Sequence, residues 1–341
     1  MGACAVGADA DMTIAQLKRS TPVSAYGGRV VWSAFDFNAG RYRLMTNAGG
    51  VTMPVPVTPR SAPFDADVGP DSHGRPTVVY SRCRIEPRGP WRPEGLVWDA
   101  VSGCDLYRFD FANGRERRIA GASRSDTSEY LPSLWRGRLA FTRVDDRHRR
   151  SLRRLYVRSL ADGREQLVPG GSPTGDPARN AGPAGLDLHG RRLAYVWAYT
   201  IAPMLENGPS TEVRVATAGG RSILISRRYN PDGIVSRVLS VPSLVDGSVF
   251  YALMTSGDSN GHRLHRSYLP GGRRFHGPRD GRIMVATASD ATATYGVLRV
   301  FICREPSIVC TGHPLEEPTR EGYELVRLDP VNFKPGFASG P

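Results

Sequence analysis

The chain has 341 residues, 40% of them hydrophobic, and a formal net charge of +12 at pH 7. No apolar run approaches the roughly 18 residues of a membrane-spanning helix, and long helical periodicity is missing, which excludes a helical membrane protein and a coiled coil. Apart from Lys18 and Lys334 the basic residues are arginines, and they are dispersed along the chain instead of forming one basic patch, so nucleic acid is not the expected partner.

Residues 1–11 are rich in small side chains, and Ala8-Asp9-Ala10 has the A-x-A form of a signal-peptidase site. This segment reads as a disordered stub or the remnant of a signal peptide. Thr13-Ile14-Ala15-Gln16-Leu17 then reads as a strand with no unit of its own. After it, an apolar, aromatic-bearing strand recurs six times. It stands as Val30-Val31-Trp32-Ser33, Val78-Val79-Tyr80-Ser81, Leu139-Ala140-Phe141-Thr142, Leu193-Ala194-Tyr195-Val196, Val249-Phe250-Tyr251-Ala252 and, more loosely, Ala293-Thr294-Tyr295-Gly296.

The recurring strand is preceded by another across a tight turn such as Gly27-Gly28 or Asp246-Gly247. It is followed, after a loop, by a third strand such as Leu106-Tyr107-Arg108-Phe109-Asp110 or Leu155-Tyr156-Val157-Arg158-Ser159. Asn113-Gly114 and Asp162-Gly163 then turn the chain into a fourth, because these dipeptides accept the positive φ of a tight hairpin. Each unit therefore has four strands, lettered a to d from the centre outward. A repeat of about fifty residues made of short strands predicts a radial array of small sheets. The predicted fold is all-β: a six-bladed β-propeller spanning residues 12–330, followed by a tail over 331–341. The last unit runs from Val326-Arg327-Leu328 into Asp329-Pro330 without a fourth strand. The N-terminal strand is expected to fill that place and close the ring, removing two open edges.

The units containing Asp105-Leu106-Tyr107-Arg108-Phe109-Asp110 with Asn113-Gly114, and Arg154-Leu155-Tyr156-Val157 with Asp162-Gly163, resemble TolB-type propeller repeats. The resemblance covers nearly the whole chain and implies a six-bladed fold. The Ser-Pro-Asp-Gly turn usual in those repeats is replaced here by Gly69-Pro70-Asp71-Ser72-His73-Gly74 and similar segments.

Cys83 with Cys104, and Cys303 with Cys310, flank two of the loops that join strands b and c. Two such pairs suggest disulfides and a secreted or envelope location. The b-to-c loops are long and emerge on one face, where a rigid scaffold places binding residues. Trp91, Trp98, Arg147, Arg149, Arg150 and Tyr199 are the candidate ligand-contacting residues on that face, because aromatics beside arginines suit a peptide, a glycan or an anionic polymer.

Strand a would carry Asp65, Asp67, Glu129, Asp187 and His189 to the central channel. Such carboxylates suit Ca²⁺ or acid–base work; Asp65 and Asp67 are the weak metal candidates, and no cofactor is otherwise expected. Gly257-Asp258-Ser259-Asn260-Gly261 matches G-x-S-x-G but lacks the strand–turn–helix setting of a nucleophile elbow. The expectation is a non-catalytic, monomeric binding propeller for a protein, peptide or cell-surface polymer. The alternative is a propeller polysaccharide lyase or hydrolase using the channel carboxylates with His189 or His148.

Overall fold

The computed structural model describes residues 11–86, 102–145, 153–168, 182–199, 210–217, 220–228, 237–255, 263–268, 274–276, 283–302, 320–328 and 334–335. These residues form six antiparallel sheets and no helix. Five sheets have four strands and the sixth has six.

Blade 1 comprises Val23–Tyr26, Arg29–Asp36, Arg41–Ala48 and Val51–Pro54. Blade 2 comprises Asp67–Pro70, Pro76–Ile85, Ser102–Asp110 and Arg115–Arg118. Blade 3 comprises Thr127–Trp135, Arg138–Asp145, Arg154–Ser159 and Glu165–Val168. Blade 4 comprises Gly182–His189, Arg192–Tyr199, Ser210–Thr217 and Ser222–Arg228. In blade 5 the innermost strand is split into Arg237–Leu239 and Ser243–Val245, both paired with Ser248–Thr255. Arg263–Tyr268, Arg274–His276 and the C-terminal Lys334–Pro335 then extend that sheet outward. Blade 6 comprises Ile283–Ser289, Thr294–Ile302 and Arg320–Leu328.

The fourth strand of blade 6 is Met12–Leu17, paired antiparallel with Arg320–Leu328 from Met12↔Arg327 to Leu17↔Tyr323. The N-terminal strand thus completes the last blade, while the C-terminal Lys334–Pro335 joins the edge of blade 5. Antiparallel four-stranded sheets placed in sequence around one axis and joined this way define the molecule as a β-propeller.

Strand b is where the recurring apolar segment falls. Val30, Val31 and Trp32, and their counterparts through Val249, Phe250 and Tyr251, are all buried. Successive strand residues point to opposite faces, and both faces of a blade are covered by neighbours, so alternation gives way to a continuous apolar run. The hydrophobic clusters accordingly lie between blades. One joins Tyr130, Leu155 and Val157 of blade 3 to Leu186, Tyr195 and Trp197 of blade 4. Another joins Leu17, Val285, Tyr295 and Leu325 of blade 6 to Val23, Val30 and Trp32 of blade 1, packing the seam.

The a-to-b turns are tight, with both central residues at positive φ in Gly27-Gly28, Arg136-Gly137 and Asp246-Gly247, the geometry that matches strand twist. Near the axis the blades crowd. A Cβ on Gly69 would lie 1.9 Å from the Leu134 carbonyl oxygen of the next blade, so only glycine fits there.

Candidate functional site

All six innermost strands contribute to one central cavity. Its wall includes Pro22 and Ser24 of the first blade region, Asp67, Pro132, Asp187 and Thr287. Its volume is about 60 Å³, room for a few waters and far below the roughly 300 Å³ or more of a small-molecule pocket. Strand a shifts register between Tyr130 and Ser133, between Pro183 and Gly185, and between Met284 and Ala286. These bulges turn Leu131, Pro132 and Ala184 toward the axis and narrow it.

Just beyond the bulges a chain of side-chain-to-backbone hydrogen bonds runs from blade to blade. Ser24 Oγ accepts from Val68 N at 3.0 Å, and Asp67 Oδ2 from Leu134 N at 2.9 Å. Ser133 Oγ accepts from Leu188 N at 2.8 Å, and Asp187 from Leu244 N. Ser243 Oγ accepts from Ser289 N at 2.9 Å. The acceptor always precedes the residue that donates to the previous blade, so Ser24, Asp67, Ser133, Asp187 and Ser243 are equivalent positions. The sixth equivalent is Ala288, which has no acceptor; there Asp290 Oδ2 takes Gly28 N at 2.8 Å instead.

This arrangement sets the charge state of the channel. Burial pushes the Asp67 carboxyl up, against hydrogen bonds from Ser24, Leu134 and Ser133. Burial, and then the charge of Asp67, push Asp187 up to about 8. Asp65 lies at the wall with its oxygens occupied by Ser81 N at 2.9 Å, Ser81 Oγ at 2.7 Å and Leu131 N at 2.7 Å. That last bond holds Leu131 at its φ of 50°. Glu129 faces away from the channel. Its Oε1 takes Arg143 Nε at 2.7 Å and Thr127 Oγ1 at 2.6 Å, and Arg143 reaches on to Glu165. Burial raises Glu129, against those same bonds. Among the described residues no three metal-ligating side chains converge.

His189 ends strand a of blade 4 on the turn face. Its ring lies against Trp135, centroids 3.8 Å apart and planes tilted by 42°, and Tyr26 meets Trp135 edge-on at 5.8 Å, so three blades share an aromatic cluster at that end of the ring. Burial lowers the His189 pKa, favouring the neutral imidazole.

The opposite face, where strands b end and strands c begin, carries a larger concavity. A groove of about 860 Å³ lies between blades 1 and 2, beside the Cys83–Cys104 disulfide. Cys83 and Cys104 are directly opposite in register, so the bridge joins strands b and c at the root of their loop. The groove floor is fixed. The Arg60 side chain, 3% exposed, binds Glu86 at 2.7 Å and the Ser81 carbonyl at 2.6 Å. Burial opposes ionisation of Glu86, but Arg60 and the Ser61 hydrogen bonds outweigh it and hold its pKa below the usual value.

Arg41 and Arg84 are exposed, their guanidinium groups have no partner among the described residues, and Ile85 beside them is 39% exposed. On the same face, blade 1 connects b to c by only Phe37-Asn38-Ala39-Gly40. Arg19 lies 3.6 Å over the Phe35 ring, Phe35 packs edge-on against Phe37 and Tyr42, and Phe37 is 62% exposed.

Trp91, Trp98, Arg147, Arg149, Arg150, Cys303 and Cys310 lie outside the described residues, as do His148 and the 257–261 segment. Tyr199 ends strand b of blade 4 at 3% exposure, in the core shared by blades 3 and 4. Arg41, Arg84 and Phe37 were not singled out by the sequence. The available signal was Phe35-x-Phe37 in a short b-to-c turn and an arginine next to Cys83. The blade-to-blade fasteners had one too: Ser or Asp three or four residues before the a-to-b turn glycine in Ser24, Ser133, Asp187 and Ser243.

No family model and no curated protein matches the chain. Among solved structures it is similar to TolB from Acinetobacter baumannii, at 14% identity and a TM-score of 0.45, over 74% of this chain and 52% of that one. It is similar to the β-propeller domain of the trilobed protease from Pyrococcus furiosus, at 8% identity and a TM-score of 0.43, over 82% of this chain and 89% of that one. It is also similar to the six-bladed fucose-recognising lectin of Aleuria aurantia, at 10% identity and a TM-score of 0.46, over 82% and 87%. The chain spans about half the length of the TolB structure. These are likenesses of fold alone.

Proposed function

We propose that this chain is a non-catalytic binding propeller of the cell exterior or envelope, which recognises a protein, peptide or cell-surface polymer on its b-to-c loop face. One observation carries the reading: the groove between blades 1 and 2 is roomy, rigid at its floor, and carries Arg41 and Arg84, which have no partner among the described residues, next to the exposed Ile85. Arg41 and Arg84 suit a ligand bearing carboxylates, and the exposed Ile85 in the same groove suits an apolar group. The disulfide at the groove supports an oxidising compartment. No helix among the described residues is long and apolar enough to cross a membrane. The channel carboxylates bind backbone N–H groups of neighbouring blades, which favours the rim over the channel as the working surface, and no cofactor is needed.

The test is a binding screen of the oxidised protein against acidic peptides and envelope glycans, repeated with Arg41→Glu/Arg84→Glu. The reading predicts a ligand whose affinity falls at least tenfold in the variant and is unchanged in Asp67→Asn. A ligand or turnover lost in Asp67→Asn but kept in the arginine variant would place the activity in the channel.

A further inference from the structure

On the opposite, turn-bearing face, blade 2 carries a second groove of about 240 Å³, formed by the a-to-b turn at Asp71–Arg75 and the outer hairpin of strands c and d. Four arginines line it: Arg75, Arg108, Arg115 and Arg117. Arg108 and Arg117 are directly opposite in register, and Arg115 pairs with Asp110 two residues along the same face. Like charges directly opposite destabilise a strand pair, so a hairpin gains nothing internal from Arg108 facing Arg117.

The groove's two carboxylates are already engaged. Asp71 Oδ2 holds Arg75 through Nε at 2.9 Å and Nη2 at 2.8 Å, and Asp71 Oδ1 accepts the N–H groups of His73 and Arg75. Asp110 accepts Ala112 N at 2.9 Å and Asn113 Nδ2 at 2.7 Å, shaping the c-to-d turn. The guanidinium groups of Arg108, Arg115 and Arg117 therefore have no hydrogen-bond or ion-pair partner among the described residues. Four arginines against two aspartates leave two positive charges in the groove.

We propose that this groove is a phosphate-binding site that takes a phosphomonoester. Its dianion matches the uncompensated charge. Guanidinium forks fit tetrahedral oxyanions with paired N–H donors. The volume admits a phosphate and the first atoms of the group that carries it. The site is separate from the loop-face groove and does not depend on it.

The experiment is calorimetric titration of the oxidised full chain with inorganic phosphate and with phosphoserine at fixed ionic strength, with chloride and acetate as comparison anions. Saturable binding of both phosphates is expected, with acetate at least tenfold weaker. Arg108→Gln/Arg117→Gln should bind phosphate at least tenfold more weakly yet, without anion, melt no lower than the unmodified protein, because a like-charge pair has been removed. Arg164→Gln, on blade 3, should bind as the unmodified protein does. Three results would overturn the proposal: no binding beyond the chloride background, unchanged binding in the double variant, or equal weakening in Arg41→Gln/Arg84→Gln.

Discussion

Asp67 and Asp187 enter one cavity from blades 2 and 4, and each holds the backbone N–H of the blade that follows it, at Leu134 and Leu244. Two buried carboxylates near each other cannot both ionise cheaply. The folded state therefore keeps a proton on Asp187 up to about pH 8, whereas the unfolded chain releases it near the ordinary value of 3.8.

A raised folded pKa makes this group's stabilising contribution complete below the unfolded value and progressively lost as pH rises through the folded one. The window here runs from about 4 to about 8. Asp187→Asn is neutral throughout and its amide oxygen can still accept Leu244 N–H. The melting temperature of the unmodified protein minus that of the variant should fall between about pH 4 and pH 8 and level off above that. A difference that stays flat over that range would show that Asp187 titrates normally.

Ala288 occupies the position at which the other five blades carry Ser or Asp. It lines the cavity, so there is space for an added oxygen. Ala288→Ser should supply the missing acceptor to Ala25 N–H at the seam between blades 6 and 1. A gain of about 0.5–1 kcal/mol is expected from urea unfolding; a loss would mean that the seam is built differently from the other five junctions.

The Cys83–Cys104 bridge closes a loop with a sequence separation of 21. Constraint of the unfolded chain by a loop of that size contributes about 3 kcal/mol. Cys83→Ser/Cys104→Ser should unfold at correspondingly lower urea, and treating the unmodified protein with reductant should move it the same way.

Arg143 is 6% exposed and joins Glu129, which is fully buried, to Glu165 and the Ala122 carbonyl. Removing one partner of a buried pair leaves an uncompensated charge, costing on the order of 3–5 kcal/mol. Arg143→Ala should show a loss of that size in denaturant unfolding. Glu129→Gln/Arg143→Met removes both charges and should recover much of it. If the double variant is no better than the single, packing rather than charge is responsible.

The blades were legible because their signal is local. Trp32, Tyr80, Phe141, Tyr195 and Tyr251 each sit in a short apolar run beside a turn that needs glycine or asparagine, so the repeat and its period show in the one-dimensional pattern. The closing role of Met12–Leu17 was legible by elimination, since one strand was left over and one blade was a strand short. The pairing of Cys83 with Cys104 followed from their places at the ends of adjacent strands.

The site was less legible, because its residues are far apart in the chain and meet only around the ring. Asp65, Asp67 and Asp187 read alike as channel carboxylates. Only the tertiary structure shows that each is bound to N–H groups of another strand or blade, 16 to 67 positions away. Arg41 and Arg84 look like any other exposed arginine in a chain full of them, until blades 1 and 2 bring them to one groove whose carboxylate among the described residues, Glu86, is held by Arg60. The sequence by itself determined the strand pattern, the blade repeat and the closure, since those depend on neighbouring residues and on burying every sheet face. The tertiary structure decided which charges are paired and which have no partner among the described residues, because hydrogen bonding and Coulomb interaction depend on distance through space, which sequence spacing does not encode.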